Sequence, residues 1–234
     1  MATFLFDLDG TLLAVDGATF LHAYFGELTR ALQPVMPTDR LAADILTATA
    51  RMQADTRPGI TNMDKFRNEF DALTPGLDHE SVWATISQFY ATAFDNLQRV
   101  MVPNEPLRRS VAYLRSRGHR LLLTTNPIFP EIATSKRLQW AGYTTATFEY
   151  ISTMENSSFC KPHVEYWQHV LTCMHVDAAD AVAVGNDSVE DVSARLAGIA
   201  TYLVTDYAIG DVASAGADRC SDAAAFEEWV RTTY

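Results

Sequence analysis

Residues 1–13 read MATFLFDLDGTLL, a short apolar run that starts almost at the first residue and ends in two aspartates one residue apart. The run at residues 3–6 is rich in aromatic and branched side chains, which predicts a buried strand, and Asp7, Asp9 and Gly10 predict a tight turn after it. Open α/β sheets bind ligands at the carboxyl ends of their strands, so two acids at that edge indicate a candidate site. Aspartate and glycine are also ordinary turn residues, and a solvated turn is the alternative interpretation.

The composition is typical of a folded protein, since 48% of the residues are hydrophobic. The net charge of −11 would repel phosphate backbones over most of the surface, which argues against a nucleic-acid partner. The three cysteines, Cys160, Cys173 and Cys220, have no paired metal spacing and leave one over, which favours a reducing cytoplasm over an exported disulfide framework. No basic leader or apolar stretch of about 18 residues occurs, so we expect neither export nor a membrane partner.

The hydrophobic period changes after the first strand and predicts helices only, which we interpret as an all-helical module at residues 16–101, inserted between β elements of a core at 1–15 and 102–234. Hinges are expected near Asp16 and Gly17 and near Val102 and Pro103. Thr38 is expected to cap the second helix, and Asn62 to start the third. The expected apolar positions of the four helices are Leu21, Tyr24, Phe25, Leu28 and Leu32; Leu41, Ile45 and Met52; Met63, Phe66, Phe70 and Leu73; and Val82, Ile86, Phe89, Ala93 and Leu97.

From residue 103 onward, helical and strand patterns alternate. LLLTTN at residues 121–126 and AVAVGND at residues 181–187 read as buried strands with polar ends, and further strands are expected near 148–151 and 201–204. Helices are expected near 131–141, at about 162–174 and through Leu196 to a stop at Gly198. Repeated β-α units of this length imply a parallel sheet with helices on both faces, an α/β fold.

Three of the predicted strands end in polar or acidic residues: FDLDGT, LLLTTN and AVAVGND. FCKP at residues 159–162 lies between the second and the third. Crowded carboxylates need cations, because two charges about 4 Å apart repel by roughly 4 kcal/mol at an effective dielectric of 20. A lysine supplies one cation, and carboxylate oxygens suit Mg²⁺, which typically meets one or two carboxylates plus a substrate phosphate. Such a site fits phosphoryl transfer. If the strands are neighbours, the residues that converge are Asp7, Asp9, Thr125, Lys161, Asp187 and Asp191.

These residues carry a resemblance to the haloacid dehalogenase superfamily of phosphotransferases. DLDGT, TTN and KP match that superfamily's first three motifs, and GNDSVED, followed by Ala194, Ala197, Gly198 and Ile199, matches the fourth. All four occur in order and frame nearly the whole chain. The resemblance implies a Rossmann-like parallel sheet core, with the helical insertion as a cap of the first type.

The resemblance also implies roles for the catalytic residues. Asp7 is expected to attack phosphorus and to bind Mg²⁺ through its other oxygen. Asp9 is expected to protonate the leaving oxygen and then activate water, while its backbone carbonyl reaches the metal. Thr125, the backbone amide of Asn126 and Lys161 are expected to bind the phosphoryl group.

The fourth motif has Gly185-Asn186-Asp187 where many relatives have Gly-Asp, so the direct metal ligand is open at this point. We favour Asp187 as the third ligand, because its spacing to Asp191 and Gly198 places it at the tip of the strand. Asn186 can still hold a metal-bound water. Asp191, one turn further on, is expected to orient such a water or Lys161.

The preferred function is a Mg²⁺-dependent phosphatase that acts on a small phosphorylated metabolite through an aspartyl-phosphate. A phosphomutase of the β-phosphoglucomutase type shares every core residue named above, and a catalytically inactive binding module is the third possibility. A dehalogenase is disfavoured, because displacement of chloride uses neither Asp9 nor a metal. The leaving group is not specified by the sequence. Four basic residues of the insertion can reach an anionic substrate, although we expect them to be exposed and solvated: Arg51, Arg57, Lys65 and Arg67.

Overall fold

Six parallel strands form one sheet in the order β5-β4-β1-β6-β7-β8. The structure, a computed structural model, describes all 234 residues. The first strand lies between the two others that end in polar residues, which meets the condition for their ends to converge, and the α/β fold class is confirmed. The strands of the sheet are β1 Thr3–Phe6, β4 Arg120–Leu123, β5 Tyr150–Ile151, β6 Ala181–Gly185, β7 Ala200–Val204 and β8 Arg219–Ser221.

Helices cover both faces of this sheet. Alternate side chains of a strand point to opposite faces, and the two apolar clusters follow that rule. Phe4 and Phe6 of β1 pack with Phe226 on one side, whereas Leu5 packs with Tyr166 and Trp167 on the other. The covering helices are α5 Glu105–Ser116, α6 Glu131–Trp140, α7 Val164–Met174 and α8 Ala223–Thr233.

The segment between residues 17 and 100 contains helices and no strand. Three of its four α-helices begin at a side-chain cap, as when the Asp16 carboxylate accepts a hydrogen bond from the Thr19 amide at 2.8 Å. A 3-10 turn at residues 93–100 follows the last of them. None of the protein's helices is long and apolar enough to cross a membrane. The four helices are α1 Gly17–Leu32, α2 Leu41–Ala54, α3 Asn62–Leu73 and α4 His79–Ala91.

The helical segment joins the sheet through a small two-stranded ribbon. β2 Leu13–Ala14 enters the segment, β3 Val102–Pro103 leaves it, and the two pair antiparallel. Asn104 ties the exit back to the entry, because its amide nitrogen donates to the Leu12 carbonyl at 3.1 Å and its side chain donates to the Thr11 carbonyl at 3.0 Å. The chain therefore enters and leaves the helices at one place.

Three local expectations are wrong. The side chain of Thr38 does not cap α2. Instead, the Thr38 carbonyl accepts a hydrogen bond from the Leu41 amide, in a backbone turn that precedes the helix. Leu21 is 41% exposed, because Phe20 takes the buried position of α1 instead. The expected helix through Leu196 is a short 3-10 helix, Val192–Ala197, which leaves Leu196 exposed.

Candidate active site

The carboxyl ends of β1, β4 and β6 surround a cavity of about 150 Å³. The parallel register sets Phe6 beside Leu123 and Val184, so the residues that follow each strand start at one level. Seven of the eight sequence-predicted site residues line this cavity, and the eighth, Lys161, contacts two of them. The lining residues predicted from the sequence are Asp7, Asp9, Thr125, Asn126, Asn186, Asp187 and Asp191.

Lys161 lies between two carboxylates of the cavity lining, those of Asp7 and Asp191. Its Nζ is 3.1 Å from Oδ1 of Asp7 and 2.5 Å from Oδ1 of Asp191, and only 1% of the residue is exposed. Burial alone would lower the pKa of Lys161, but the charges of Asp191 and Asp7 outweigh it and raise that pKa above its ordinary value. The lysine therefore stays charged and holds both acids.

Asp7 is short of positive charge despite this contact. Burial raises the pKa of Asp7 to about 8, Lys161 works against that rise, and the neighbouring charges of Asp191 and Asp9 add to it. Lys161 is shared between Asp7 and Asp191, and the other nearby cation, Arg137, pairs with Asp9, so a further cation is needed to keep Asp7 ionised at neutral pH.

Asp9 pairs with an arginine that sequence reasoning did not single out. Arg137 of α6 donates to Oδ2 of Asp9, and Arg137 is 1% exposed. Burial raises the pKa of Asp9, while the charges of Arg137 and Lys161 act to lower it. The signal in the sequence is an arginine on the apolar face of a helix, beside Thr134 and Leu138, because a buried arginine requires a charged or polar partner.

Asp187 and Asp191 bind the backbone of their own turn. Oδ1 of Asp187 accepts from the amides of Val189 at 2.7 Å and Glu190 at 2.8 Å. Oδ2 of Asp191 accepts from the amides of Asn186 and Asp187, each at 2.9 Å. These bonds fix both carboxylates at the end of β6.

Gly185 makes room for the Asp191 carboxylate. A Cβ atom at residue 185 would lie 2.0 Å from Cγ of Asp191, a distance at which the carboxylate must move. Gly10 has the same relation to Asn186, with a φ of +79° and a would-be Cβ 2.2 Å from Nδ2. The two glycines of the first and fourth motifs therefore hold side chains of the cavity close to the backbone.

Asn126 and Thr125 follow β4 and fix the opposite wall. The side-chain amide of Asn126 accepts from the Lys161 amide at 3.2 Å and donates to the Lys161 carbonyl at 3.4 Å. The Thr125 carbonyl accepts from Ser152 at 2.6 Å and from the Tyr166 hydroxyl at 3.2 Å. The backbone amide of Asn126 donates to no backbone carbonyl. The wall thus positions Lys161 and leaves a free amide at the cavity.

Asn186 connects the first motif to the loop after β7. Its Oδ1 accepts from the Thr11 hydroxyl at 3.2 Å, and its Nδ2 donates to the Tyr207 carbonyl at 2.6 Å. Both ends of this side chain are therefore engaged within the protein, and its contacts do not distinguish it as a metal ligand.

Glu190 is a second titratable group that the sequence analysis did not use. It lines the cavity, and burial raises its pKa to about 7 against the opposing charge of Lys161. Its place inside GNDSVED was the available signal.

The donor chemistry of the cavity fits Mg²⁺. No three histidine, cysteine, aspartate or glutamate side chains are grouped closely enough to hold a metal ion by themselves. The expected ligand set needs only two carboxylates and one carbonyl, and no backbone amide donates to the Asp9 carbonyl. The Asp9 carbonyl therefore has no backbone donor, and Asp7 is short of positive charge. Hard oxygen donors that lack a cation suit this ion.

A second cavity of about 370 Å³ adjoins the first and shares Asp9 and Asn186 with it. Its lining includes Asp16 and Asp206 and contains no lysine or arginine. The space beside the reaction centre is therefore acidic.

The four basic residues singled out from the sequence of the helical segment do not line either cavity. Lys65 is 2% exposed, so its expected exposure is wrong: its Nζ donates to the carbonyls of Asp55 and Ser158. The other three are exposed, and their contacts are local: Arg51 with Glu69, Arg57 with Asp55, and Arg67 over the ring of Trp83.

Similarity to known proteins agrees with this geometry. Residues 1–198 match the family described as "Hydrolase: haloacid dehalogenase-like hydrolase". The chain is 29% identical over 225 residues to a "Phosphoglycolate phosphatase, plasmid" of Cupriavidus necator, an alignment that spans 93% of this chain and 87% of that protein.

Two solved structures share the whole fold. A HAD phosphatase from Thermococcus onnurineus has a TM-score of 0.62 at 18% identity and covers 100% of this chain and 98% of its own. The hydrolase YfnB of Bacillus subtilis, solved with bound magnesium, has a TM-score of 0.60 at 18% identity and covers 98% of each chain. With the family match over residues 1–198 and the four motifs gathered at one sheet edge, the chain belongs to the haloacid dehalogenase-like hydrolase family.

Proposed function

We propose that the protein is a Mg²⁺-dependent phosphatase that hydrolyses a small phosphomonoester through an aspartyl-phosphate on Asp7. The observation that carries this proposal is the juxtaposition of Asp7, Lys161 and Asp191 beside Asp9 at one strand edge. A carboxylate held by a lysine, next to a second carboxyl group with one free oxygen, suits nucleophilic attack assisted by an acid.

The proposed reaction has two steps. An oxygen of Asp7 forms a bond to phosphorus while the bond to the ester oxygen breaks, and Asp9 gives its proton to that leaving oxygen. Water then attacks the phosphorus of the aspartyl-phosphate, Asp9 takes a proton from the water, and phosphate leaves. The buried, partnerless Oδ1 of Asp9 supports this assignment, because that oxygen is free to carry the proton.

The phosphoryl group is proposed to rest on Thr125, the free backbone amide of Asn126 and Nζ of Lys161. Asp7, the Asp9 carbonyl and Asp187 would hold Mg²⁺, with Asn186 and Asp191 beside them. When bound, the ion supplies positive charge that stabilises the charge developing on the phosphoryl oxygens. Asp191 acts through Lys161, which it contacts.

We also propose the two-part organisation expected from the sequence, a catalytic core at 1–15 and 102–234 and a helical cap at 16–101. In this arrangement the cap covers the reaction centre and excludes bulk water. The position of Asp16 and Phe20 at the acidic second cavity supports that arrangement. The three free cysteines support a reducing, cytoplasmic location.

A phosphatase is favoured over a phosphomutase by the acidic lining of the second cavity. A mutase must hold a bisphosphate, and its second phosphate needs cationic partners near the reaction centre. The lining of the second cavity offers Asp16 and Asp206 and no lysine or arginine. Its charge favours a neutral or cationic leaving group over an anionic one.

A panel of phosphorylated metabolites, assayed with Mg²⁺ and with a chelator, tests the proposal. We expect at least one alkyl phosphomonoester to release phosphate with Mg²⁺, and the chelator to abolish that release reversibly. Asp7→Asn is expected to lose at least about 10⁴-fold in kcat/KM, because it removes the nucleophile. Acid quench should leave phosphate on Asp7 of the native chain.

Asp64→Asn is the control, since this exposed residue at the start of α3 lies away from both cavities and should keep full activity. Turnover that survives in Asp7→Asn, or no turnover on any phosphate ester, would refute the phosphatase. Interconversion of sugar phosphates without release of phosphate would instead assign the mutase.

A further inference from the structure

Arg137 is the one fully buried arginine of the protein, and it pairs with the acid proposed to move the proton. It lies on α6, its exposure is 1%, and its Nη1 donates to Oδ2 of Asp9. The motif containing Asp9 and the helix containing Arg137 are 128 residues apart in sequence. The fold therefore brings the arginine to Asp9 from a separate element.

The guanidinium of Arg137 is fixed in one orientation. Its Cζ lies 4.3 Å from the centre of the Phe129 ring and 6.0 Å from that of Phe20, distances typical of cation-π contacts. Nε donates to the Ala133 carbonyl at 3.3 Å, and Nη2 donates to the Thr134 hydroxyl at 3.4 Å. With two of its nitrogens bound to its own helix, the third has a single direction, which is toward Asp9.

The consequence at Asp9 is an asymmetric carboxyl group. Oδ2 is held by Arg137, whereas Oδ1 is buried and has no partner in the protein. Asp9 lines the cavity that also contains Asp7 and Thr125. Oδ1 is therefore the oxygen of Asp9 that no other group of the protein holds.

We infer that Arg137 is a positioning residue, which holds Asp9 by Oδ2 so that Oδ1 faces the leaving oxygen of the substrate. This inference rests on the proposed phosphatase function and adds to it a residue outside the four motifs. The arginine touches no reacting atom. It acts through Asp9, and its effect on kcat/KM comes from the step in which Asp9 delivers the proton.

The dependence on leaving group separates this role from a merely structural one. An alkyl alcohol is a poor leaving group and needs the proton, whereas para-nitrophenolate leaves readily without it. Because kcat/KM reports the steps from free enzyme to the first irreversible one, it isolates departure of the alcohol from the later hydrolysis of the aspartyl-phosphate. A loss of packing around Phe129 would lower kcat/KM for both substrates equally.

The experiment compares kcat/KM for the best alkyl phosphomonoester of the panel with kcat/KM for para-nitrophenyl phosphate, both with Mg²⁺. For Arg137→Met we expect a loss of about 10²-fold or more on the alkyl ester, the size of a general-acid effect. On para-nitrophenyl phosphate the loss should be less than about 3-fold. Arg137→Lys keeps the positive charge but loses the planar guanidinium group with its several N–H donors. Its kcat/KM should fall by an intermediate factor on the alkyl ester alone.

Lys136→Gln is the matched control, because Lys136 is the neighbouring cation of α6 and bonds Ala91 and Asp95 of the helical segment instead. It should leave both substrates unchanged. Thermal unfolding identifies any variant that fails to fold; should Arg137→Met fail, Arg137→Lys decides. Equal losses on the two substrates, or no loss on either, would overturn the inference. A failure of the phosphatase proposal shows separately, as activity that survives in Asp7→Asn.

Discussion

Two lysines are buried almost equally in two regions of the molecule, Lys161 at the sheet edge and Lys65 on a helix of the inserted segment. Nζ of Lys161 is hydrogen-bonded to the carboxylates of Asp7 and Asp191, whereas the hydrogen bonds of Lys65 Nζ go to two backbone carbonyls at 2.6 and 2.7 Å, with the Asp55 carboxylate further away at 3.7 Å. Burial lowers the pKa of Lys65, while the acids raise the pKa of Lys161. Burial of a cation therefore does not reveal its task. Its partners do, because carboxylates can also bind a substrate or a metal, whereas paired carbonyls only join backbone segments.

The largest expected effect comes from removing each lysine in turn. Lys161→Met should lower kcat/KM by about 10²–10³-fold, the cost of losing one preorganised charge at a reacting group. Lys65→Met should leave kcat/KM within about 3-fold and instead lower the free energy of unfolding by about 2 kcal/mol, because it leaves buried carbonyls unpaired. Initial rates and denaturant unfolding of both variants make the comparison.

A large loss of activity in Lys65→Met at a temperature where it is folded would break the contrast. So would full activity in Lys161→Met.

A smaller effect is expected from two glycines, Gly185 at the site and Gly26 in the helical segment, which again compare the two regions. Gly185→Ala would place a Cβ 2.0 Å from Cγ of Asp191 and displace that carboxylate from Lys161, so we expect a loss of about 10²-fold in activity, the cost of a shift of about 1 Å at a catalytic site. Gly26→Ala on α1 meets only Arg30, at 3.9 Å, and should stabilise the protein by about 0.5–1 kcal/mol through helix propensity.

Rates and unfolding midpoints of the two alanine variants are the measurement. Equal activity in both would mean that the close approach of Asp191 to the backbone has no role in the reaction.

The smallest effect concerns a buried acid of the helical segment. Glu27 is 3% exposed and accepts two hydrogen bonds at 2.9 Å from Arg30 and one at 3.2 Å from Asn96. Burial alone would raise the pKa of Glu27, but these partners outweigh it and lower the pKa below its ordinary value of 4.5. A carboxyl group whose pKa is lower in the folded state stabilises the fold at pH values above its unfolded-state pKa. That stabilisation is lost as the pH falls through its folded-state pKa.

Glu27→Gln should therefore lower the free energy of unfolding by on the order of 1 kcal/mol at pH 7, and the difference from the native protein should shrink as the pH falls below about 4.5. Denaturant unfolding at several pH values measures it. Glu80→Gln, at an exposed position of α4, should change little at any pH. A constant difference for Glu27→Gln from pH 7 to pH 4 would contradict the ionic origin.

The sequence predicts the parallel sheet well because its strands are short, continuously apolar and bounded by polar residues. β8 and α8 were not predicted, since the exposed three-residue strand Arg219–Ser221 has no apolar run. The cap of α2 was misplaced because a turn made by the Thr38 backbone replaces the expected side-chain cap. The local hydrophobic pattern thus identifies helices and strands that bury an apolar face. It misses exposed strands and turns that depend on backbone hydrogen bonds.

The predicted site residues meet because each follows a strand, and strand order brings them together. Arg137 was missed because nothing near it in sequence indicates that α6 passes beside the first motif; only the tertiary fold makes the contact with Asp9. The burial of Lys65 was missed for the same reason, since its partner Ser158 belongs to the loop before Lys161. Charge partnerships across distant segments require the assembled structure.

The ribbon of β2 and β3 has a consequence for how this architecture diversifies. Because the entry and exit strands pair with each other, and Asn104 closes them, the chain passes into and out of the helices at a single place. An insertion whose two ends lie side by side can be exchanged for another of different length without stretching the parent scaffold. The acids at the strand ends can thereby stay in place while the helices that differ between proteins change which substrate is bound.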